Sequence, residues 1–419
     1  MNELPAPGSH IHLIAVCGVG MASLAGLLQA RGYRVTGSDQ NVYPPMSSYL
    51  AEVGISVMPG FREEHLTPTP DFVIIGNAVS RGNPEAERVL ERGIPFSSFP
   101  QALGRFLIGP RQALVVAGTH GKTTTTALAA WALTRAELAP GFFVGGVPLN
   151  FGSGWHPGTG DYVVIEGDEY DSAFFDKGPK FLHYRPRHVI LTSVEFDHAD
   201  IYRDLEHVKE AFRRLVALIP AEGNLVVCSD FPSALEVASQ AKCPKVTYGA
   251  AGDWQAMEVR FDSGRTFFNP VYRGSREGEV VAGIIGRHNV QNALAVYAMA
   301  RVLGIERAKI LEGFATFRGV KRRQEIKGEQ RDILVIDDFA HHPTAVKETI
   351  DAVRLAYPGR RLWALFEPRS NTSRRSIFER EFAEALSHAD RVVVSEIYQA
   401  EKIALAQRLS VARVIAEIN

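Results

Sequence analysis

Apolar residues in this chain fall into short runs separated by amphipathic stretches, the pattern of strands alternating with helices. In the first hundred residues IHLIAVCG (11–18), RVTGSD (34–39), ISVMPG (55–60), DFVIIGNAVS (71–80) and IPFSSF (94–99) read as strands, with helices over 21–31 and 84–92. That alternation predicts a parallel, doubly wound sheet. A second series starts with LVVAG (114–118) and continues through FFVGG, YVVIEGD, VILTSV and LVVCSD. A strand-rich segment over 256–284 follows, interrupted by RGSREGE, which reads as a hairpin; a helix is then expected over 288–303. After a basic run at 318–323 a third series opens with DILVIDDF (332–339), RLWALFEP (361–368) and RVVVSEI (391–397). The economical reading is α/β, three tandem domains over 1–107, 108–319 and 320–419, with joints near 107–110 and 318–325. A length of 419 residues agrees with that division, at roughly 100–200 residues per domain.

Composition narrows the class without naming a function. With 46% hydrophobic and 22% charged residues the chain has apolar material for several cores. A formal net charge of −1 and the lack of a long basic tract leave no field to recruit nucleic acid. No apolar run approaches the ~18 residues of a membrane span, so no membrane partner is expected. Cys17, Cys228 and Cys243 lie far apart without metal-ligand spacing, which reads as reduced thiols in a cytoplasmic protein.

The run LVVAGTHGKTTTT (114–126) carries the most specific chemistry. A buried strand, a tight glycine loop and a helix beginning at Lys122 make a cradle of backbone N–H groups for phosphate oxygens. Gly118, Thr119, His120, Gly121, Lys122, Thr123 and Thr124 are therefore the expected ATP-binding run. Lys122 would reach the β/γ-phosphates and the Thr123 hydroxyl would sit on or near Mg²⁺. The loop is a shortened variant, since Val116 stands where the usual pattern has its first glycine.

Other strand ends carry further candidates. Gly18-Val19-Gly20-Met21-Ala22-Ser23 is a dinucleotide-type turn, with Ser38 and Asp39 ending the next strand. It could hold NAD or a nucleotide sugar, or be a tight turn with no ligand. YVVIEGDEYD sets Glu166, Asp168, Glu169 and Asp171 near the carboxyl edge of a strand, where ligands gather in open α/β sheets. Glu166, at the strand end, is the expected Mg²⁺ ligand, and the other carboxylates read as solvated or loop-capping. His198, in EFDHAD, falls at the same edge and is a candidate ligand or catalytic group. Asn289 and Asn292 share one helix face, suited to a purine edge or to simple capping. Lys321, Arg322 and Arg323 form a basic cluster at a joint, either solvated or able to close over phosphates. Asp338, His341 and His342 follow one strand of the third series, and Arg369, Ser370 and Asn371 follow the next. Arg369 could hold a substrate carboxylate or make a surface ion pair.

Taken in order, GTHGKTT, EGDEYD, FDHAD, GRHNVQN, the KRR joint and DDFAHHP resemble the Mur ligase family, the ATP-dependent amide ligases of peptidoglycan assembly. The resemblance implies a Rossmann-like N-terminal UDP-binding domain, a central P-loop ATP-binding domain and a Rossmann-like C-terminal α/β domain. It implies that Gly18, Val19, Gly20, Met21, Ser38 and Asp39 bind UDP-N-acetylmuramate. Lys122, Thr123, Asn289, Asn292, Arg323 and Asp338 would serve ATP; Thr123, Glu166 and His198 would serve Mg²⁺. The expected catalytic set is Lys122, Glu166, His198, Arg323 and Asp338. His341, His342, Arg369, Ser370 and Asn371 would face the incoming peptide. DSAFFDKGPKFLHYRPR and EPRSNT resemble members that attach L-alanyl-γ-D-glutamyl-meso-diaminopimelate in peptidoglycan recycling; the alternative acceptor is L-alanine. Phe212 stands where several members carry a carbamoylated lysine, so that metal ligand is expected to be absent. The resemblance also implies one more strand and helix than the third series contains, so the C-terminal domain is expected to be incomplete.

Overall fold

The computed structural model describes residues 4–418 apart from Asp200 and Ser263. Its first sheet is wholly parallel, in the spatial order Ser56–Pro59, Arg34–Asp39, His10–Ile14, Phe72–Ile75, Phe96–Ser98. The strand order reverses at His10–Ile14, which opens a crevice beyond its carboxyl end, where the helix Val19–Ala30 begins. The expected strand over 11–18 stops at Ile14 because Ala15 turns into the left-handed region (φ 65°). The helix Pro84–Arg92 is bounded as its sequence dictates. Asn83 accepts from the Ala86 N–H at 3.0 Å, proline stands in the first turn, and Gly93 closes the end at φ 62°.

A second sheet is built around Gln112–Ala117, flanked by Tyr162–Gly167 and Pro186–Leu191, all parallel. Asn224–Cys228 and Lys245–Tyr248 extend it, and an antiparallel ladder of Trp254–Asp262 and Arg265–Tyr272 continues the edge. Where the sequence suggested one hairpin at RGSREGE, the chain reverses twice, between Asp262 and Arg265 and again at Arg273–Gly274. The helix Lys122–Arg135 is buried along most of its length, sandwiched between this sheet and the helices Arg287–Val302 and Arg307–Thr316. Its small residues permit that: a methyl on Gly313 would come within 2.9 Å of the Ala132 backbone.

The third series departs from one continuous sheet. Ile333–Asp337 pairs antiparallel with Glu325–Gln330, a strand the apolar pattern does not announce because Glu325, Lys327, Glu329 and Gln330 are polar. Trp363–Phe366 and Arg391–Val394 pair with each other in parallel. A cavity of about 880 Å³ separates the two ladders, and Ile333 and Leu365 on its walls are 65% and 77% exposed.

The units are pinned together by specific contacts. The Trp155 indole N–H donates to the Tyr49 hydroxyl at 2.8 Å, tying the second sheet to the first unit. The Thr372 hydroxyl donates to Asp197 Oδ1 at 2.8 Å, tying the third unit to the second. Among the described residues no helix is long and apolar enough to cross a membrane.

Candidate active site

The loop after Gln112–Ala117 turns on two glycines with positive φ, Gly118 at 133° and Gly121 at 79°. Lys122, the first helical residue, folds back under this loop. Its ammonium donates to the carbonyls of Gly118 (2.7 Å) and Thr119 (3.3 Å) and to both oxygens of Glu169 (2.9 and 3.1 Å). Burial works against that charge, but Glu169, with Asp168 and Glu166, outweighs it and holds the lysine pKa above its ordinary value. Glu169 is 2% exposed, so the expectation that it is a solvated or loop-capping carboxylate is corrected. Its Oε1 also lies 3.2 Å from His198 Nε2. His198 holds a left-handed backbone (φ 54°), and its N–H donates to Asp197 Oδ1 at 2.7 Å.

Thr123 and Glu166 meet directly: the threonine hydroxyl donates to Glu166 Oε1 at 2.8 Å, and the Gly145 N–H donates to Oε2 at 2.7 Å. Arg323 reaches across from the third unit and donates to the Thr123 hydroxyl oxygen at 3.0 Å. Its guanidinium also stacks 5.1 Å from the centre of the Phe339 ring. Burial and the nearby Asp168 push the Glu166 pKa up, against the pull of the Gly145 N–H, Lys122 and Arg323. Lys180, which the sequence reading did not single out, donates to Asp168 at 2.9 Å and packs on the Tyr170 ring at 4.5 Å. Lys122, Thr123, Glu166 and Arg323 thus converge, whereas His198 joins them only through Glu169.

The helix Arg287–Val302 presents its two asparagines differently. Asn289 is held by the Ile285 carbonyl (2.9 Å) and Gln324 (3.1 Å), and its own oxygen accepts from Asn292 at 3.0 Å. Asn292 lines a cavity of about 350 Å³ with His120, Gly121, Ser193, Phe231 and Tyr248. In the third unit Asp338 accepts from the N–H groups of Gln324 (2.8 Å) and Ala340 (2.7 Å), which fixes the joint. His342 is buried with neither ring nitrogen bonded, 4.8 Å from the His120 ring. Burial and His120 push its pKa down to about 4. His341 bonds the Phe339 carbonyl at 2.9 Å, and the Ser370 hydroxyl donates to Ser373 at 2.9 Å. Asn371 accepts from Arg374 at 2.6 Å, and the exposed Arg369 lies over the Tyr398 ring at 4.4 Å.

At the first sheet Gly18, Val19 and Gly20 line the open start of a helix, and Met21 turns inward. A methyl on Gly20 would come within 3.1 Å of the Phe99 ring. Ser38 does not reach this crevice. It is fully buried and donates to Glu85, which also lies 2.6 Å from His65 Nδ1 and accepts from the Arg62 N–H at 3.1 Å. Asp39 braces the loop, accepting from the N–H groups of Cys17 and Asn41 at 2.8 Å each.

Family models match almost end to end: a Mur ligase family catalytic domain over 10–109, a Mur ligase middle domain over 116–300 and a Mur ligase glutamate ligase domain over 322–418. The chain is 44% identical over 384 residues to the UDP-N-acetylmuramate–L-alanyl-γ-D-glutamyl-meso-2,6-diaminoheptandioate ligase of Escherichia coli, covering 91% of this chain and 84% of that one. The chain belongs to the Mur ligase family. Its fold agrees with a murein peptide ligase from Psychrobacter arcticus at 38% identity and TM-score 0.75, over 98% of this chain and 88% of that one. It also agrees with the UDP-N-acetylmuramate–alanine ligase of Thermotoga maritima at 28% identity and TM-score 0.79, over 94% and 86%.

In this Mur ligase Phe212 is fully buried on the helix Leu205–Ala217, tilted against Phe181 at 5.6 Å, and offers nothing to a metal. The residues that sequence reasoning undervalued, Glu169 and Lys180, gave one usable signal. Glu169 lies within EGDEYD, two residues past the strand end, and Lys180 follows a short hairpin, but which carboxylate turns inward depends on loop geometry.

Proposed function

We propose that this enzyme joins L-alanyl-γ-D-glutamyl-meso-diaminopimelate to UDP-N-acetylmuramate at the cost of ATP. The observation that carries the reading is the convergence of Lys122, Thr123, Glu166 and Arg323 from two units beside the glycine loop. It is supported by 44% identity to a ligase of that name. ATP would lay its phosphates along Gly118–Thr124, with the 350 Å³ cavity, walled by Phe231, Tyr248 and Asn292, sized for the base. The donor set suits a hard divalent cation, since Glu166 and the Thr123 hydroxyl are oxygen donors in a partly buried, carboxylate-rich site. Glu166, Thr123 and His198 would hold Mg²⁺, which when bound would neutralise phosphate charge.

A carboxylate and an amine do not condense in water, because they exchange a proton and hydroxide leaves poorly. The lactyl carboxylate of the UDP-sugar, held at Gly18–Gly20, would attack the γ-phosphorus of ATP, breaking its bond to the β-phosphate so that ADP leaves and an acyl phosphate forms. The peptide amine would then displace phosphate. Lys122 and Arg323 stabilise charge on the transferred group, and the third unit excludes water from an intermediate that hydrolyses. His341, His342, Arg369, Ser370 and Asn371 would form the peptide side, with Asp338 holding the joint. Phosphate release with ATP, Mg²⁺ and UDP-N-acetylmuramate tests the reading, comparing the tripeptide with L-alanine and weighing the product by mass. Turnover with alanine but not tripeptide would instead make it the alanine ligase.

A further inference from the structure

Lys122 cannot serve a phosphate as it stands. An ammonium has three protons, and here they face four acceptors: the Gly118 and Thr119 carbonyls and both oxygens of Glu169. The two carbonyls belong to the loop that would itself cradle the phosphates, so they cannot withdraw without dismantling the cradle. Glu169 is different. It lies on a loop beyond the strand Tyr162–Gly167 and already has a second partner, since its Oε1 is 3.2 Å from His198 Nε2. The Tyr202 hydroxyl donates to its backbone carbonyl, which fixes the loop through the backbone and not through the carboxylate. His198 is anchored separately by its N–H to Asp197 and by edge-on packing against Tyr170 at 4.6 Å.

Resting on the reading of Lys122 as the phosphate lysine, we propose that Glu169 is a positioning residue: it is the counter-ion of Lys122 in the nucleotide-free enzyme and yields the lysine to incoming phosphate while keeping His198. An anionic nucleotide therefore competes with a carboxylate already on the lysine and is repelled by it. Removing the charge removes both obstacles.

The test is calorimetric titration of ATP and AMP into the wild-type protein, Glu169→Gln and Glu169→Asp, in EDTA and in Mg²⁺. Glu169→Gln is expected to bind metal-free ATP on the order of tenfold tighter than wild type. AMP, which lacks the phosphates Lys122 would reach, should bind all three alike. Glu169→Asp keeps the charge one methylene further back and should fall between. A carboxylate with only a structural role would leave the ATP-to-AMP affinity ratio in EDTA unchanged. Equal or weaker metal-free ATP binding by Glu169→Gln, with AMP binding intact, overturns the proposal. Should Glu169→Gln fail to fold, metal-free ATP affinity of Glu169→Asp at or below wild type does the same. Wild-type protein that binds no ATP even with Mg²⁺ would instead sink the ligase reading itself.

Discussion

Two glycines of the phosphate loop make the site's geometry testable through stability. At Gly121 a methyl group would meet Asn292 Oδ1 at 2.4 Å, and the backbone sits at φ 79°. Gly121→Ala should then cost about 1–2 kcal/mol for the left-handed conformation. Displacing the Asn292 amide from its 3.0 Å bond to Asn289 adds about 1 kcal/mol. The sum is about 2–3 kcal/mol. In an Asn292→Ala background the second contribution disappears, so Gly121→Ala should cost only about 1–2 kcal/mol there, a coupling of about 1 kcal/mol. Gly118 is the contrast. A methyl there would lie 2.2 Å from the Thr192 hydroxyl and 2.7 Å from the Ser193 backbone nitrogen, and a backbone cannot step aside. Gly118→Ala should exceed Gly121→Ala, and Thr192→Ala should relieve it little. Urea unfolding of the four single variants and the two doubles against wild type measures all of this. Additive Gly121 and Asn292 effects would refute the packing of the helix Arg287–Val302 against the loop.

Ser38→Ala removes a hydroxyl bonded to buried Glu85 and should destabilise by about 1 kcal/mol while leaving the KM for UDP-N-acetylmuramate unchanged; a raised KM would return Ser38 to the substrate. Arg323→Ala should lower kcat/KM for ATP on the order of 10²-fold, measured by phosphate release, because it takes a charged donor from the Thr123–Glu166 cluster. Arg369→Ala should raise the tripeptide KM about tenfold with the ATP KM unchanged; an unaltered tripeptide KM would mean that the Tyr398 stack is only a surface contact. Burial opposes the charge of Asp197, but His198, the Thr372 hydroxyl and the His198 N–H outweigh it and hold its pKa at about 2, against 3.8 ordinarily. A depressed pKa contributes stability in full above about pH 4, and that contribution, about 2 kcal/mol, is lost as pH falls toward 2. The stability gap between wild type and Asp197→Asn should therefore close over that window, and a gap independent of pH would contradict the assignment.

The parts of this molecule that were legible in the sequence are those governed by local periodicity. His10–Ile14 and Phe72–Ile75, the inner strands of the first sheet, could be read because each is a short apolar run followed by a turn, and burial on both faces demands such runs. Lys122 and Thr123 could be read because glycine, lysine and threonine at fixed spacing after a strand have a single mechanical outcome. The strand Glu325–Gln330 could not be, since polar residues on an exposed ladder carry no period that distinguishes them from a loop. Nor could the fate of Ser38. It ends a strand at the correct edge, but a strand's alternate residues face opposite sides, and the side that Ser38 faces is taken by Glu85 from a helix 47 positions later.

The role of Glu169 is equally illegible in the sequence. Four carboxylates crowd one short stretch after Tyr162–Gly167, and sequence ranks them only by distance from the strand end, which favours Glu166. The chain resolves them by pairing. Glu166 takes the Thr123 hydroxyl, Asp168 takes Lys180, Glu169 takes Lys122, and Asp171 takes the exposed Lys177 at 3.2 Å. All four partners come from within 14 residues or from the adjacent glycine-loop helix, so the assignment is short in space. Each buried carboxylate must be matched by a donor or cation, because leaving one unmatched costs several kcal/mol. A buried site this rich in carboxylates is therefore stable without nucleotide only because its lysines are already engaged. With Lys122 as the phosphate lysine, the resting state and an incoming nucleotide would compete for the same cation.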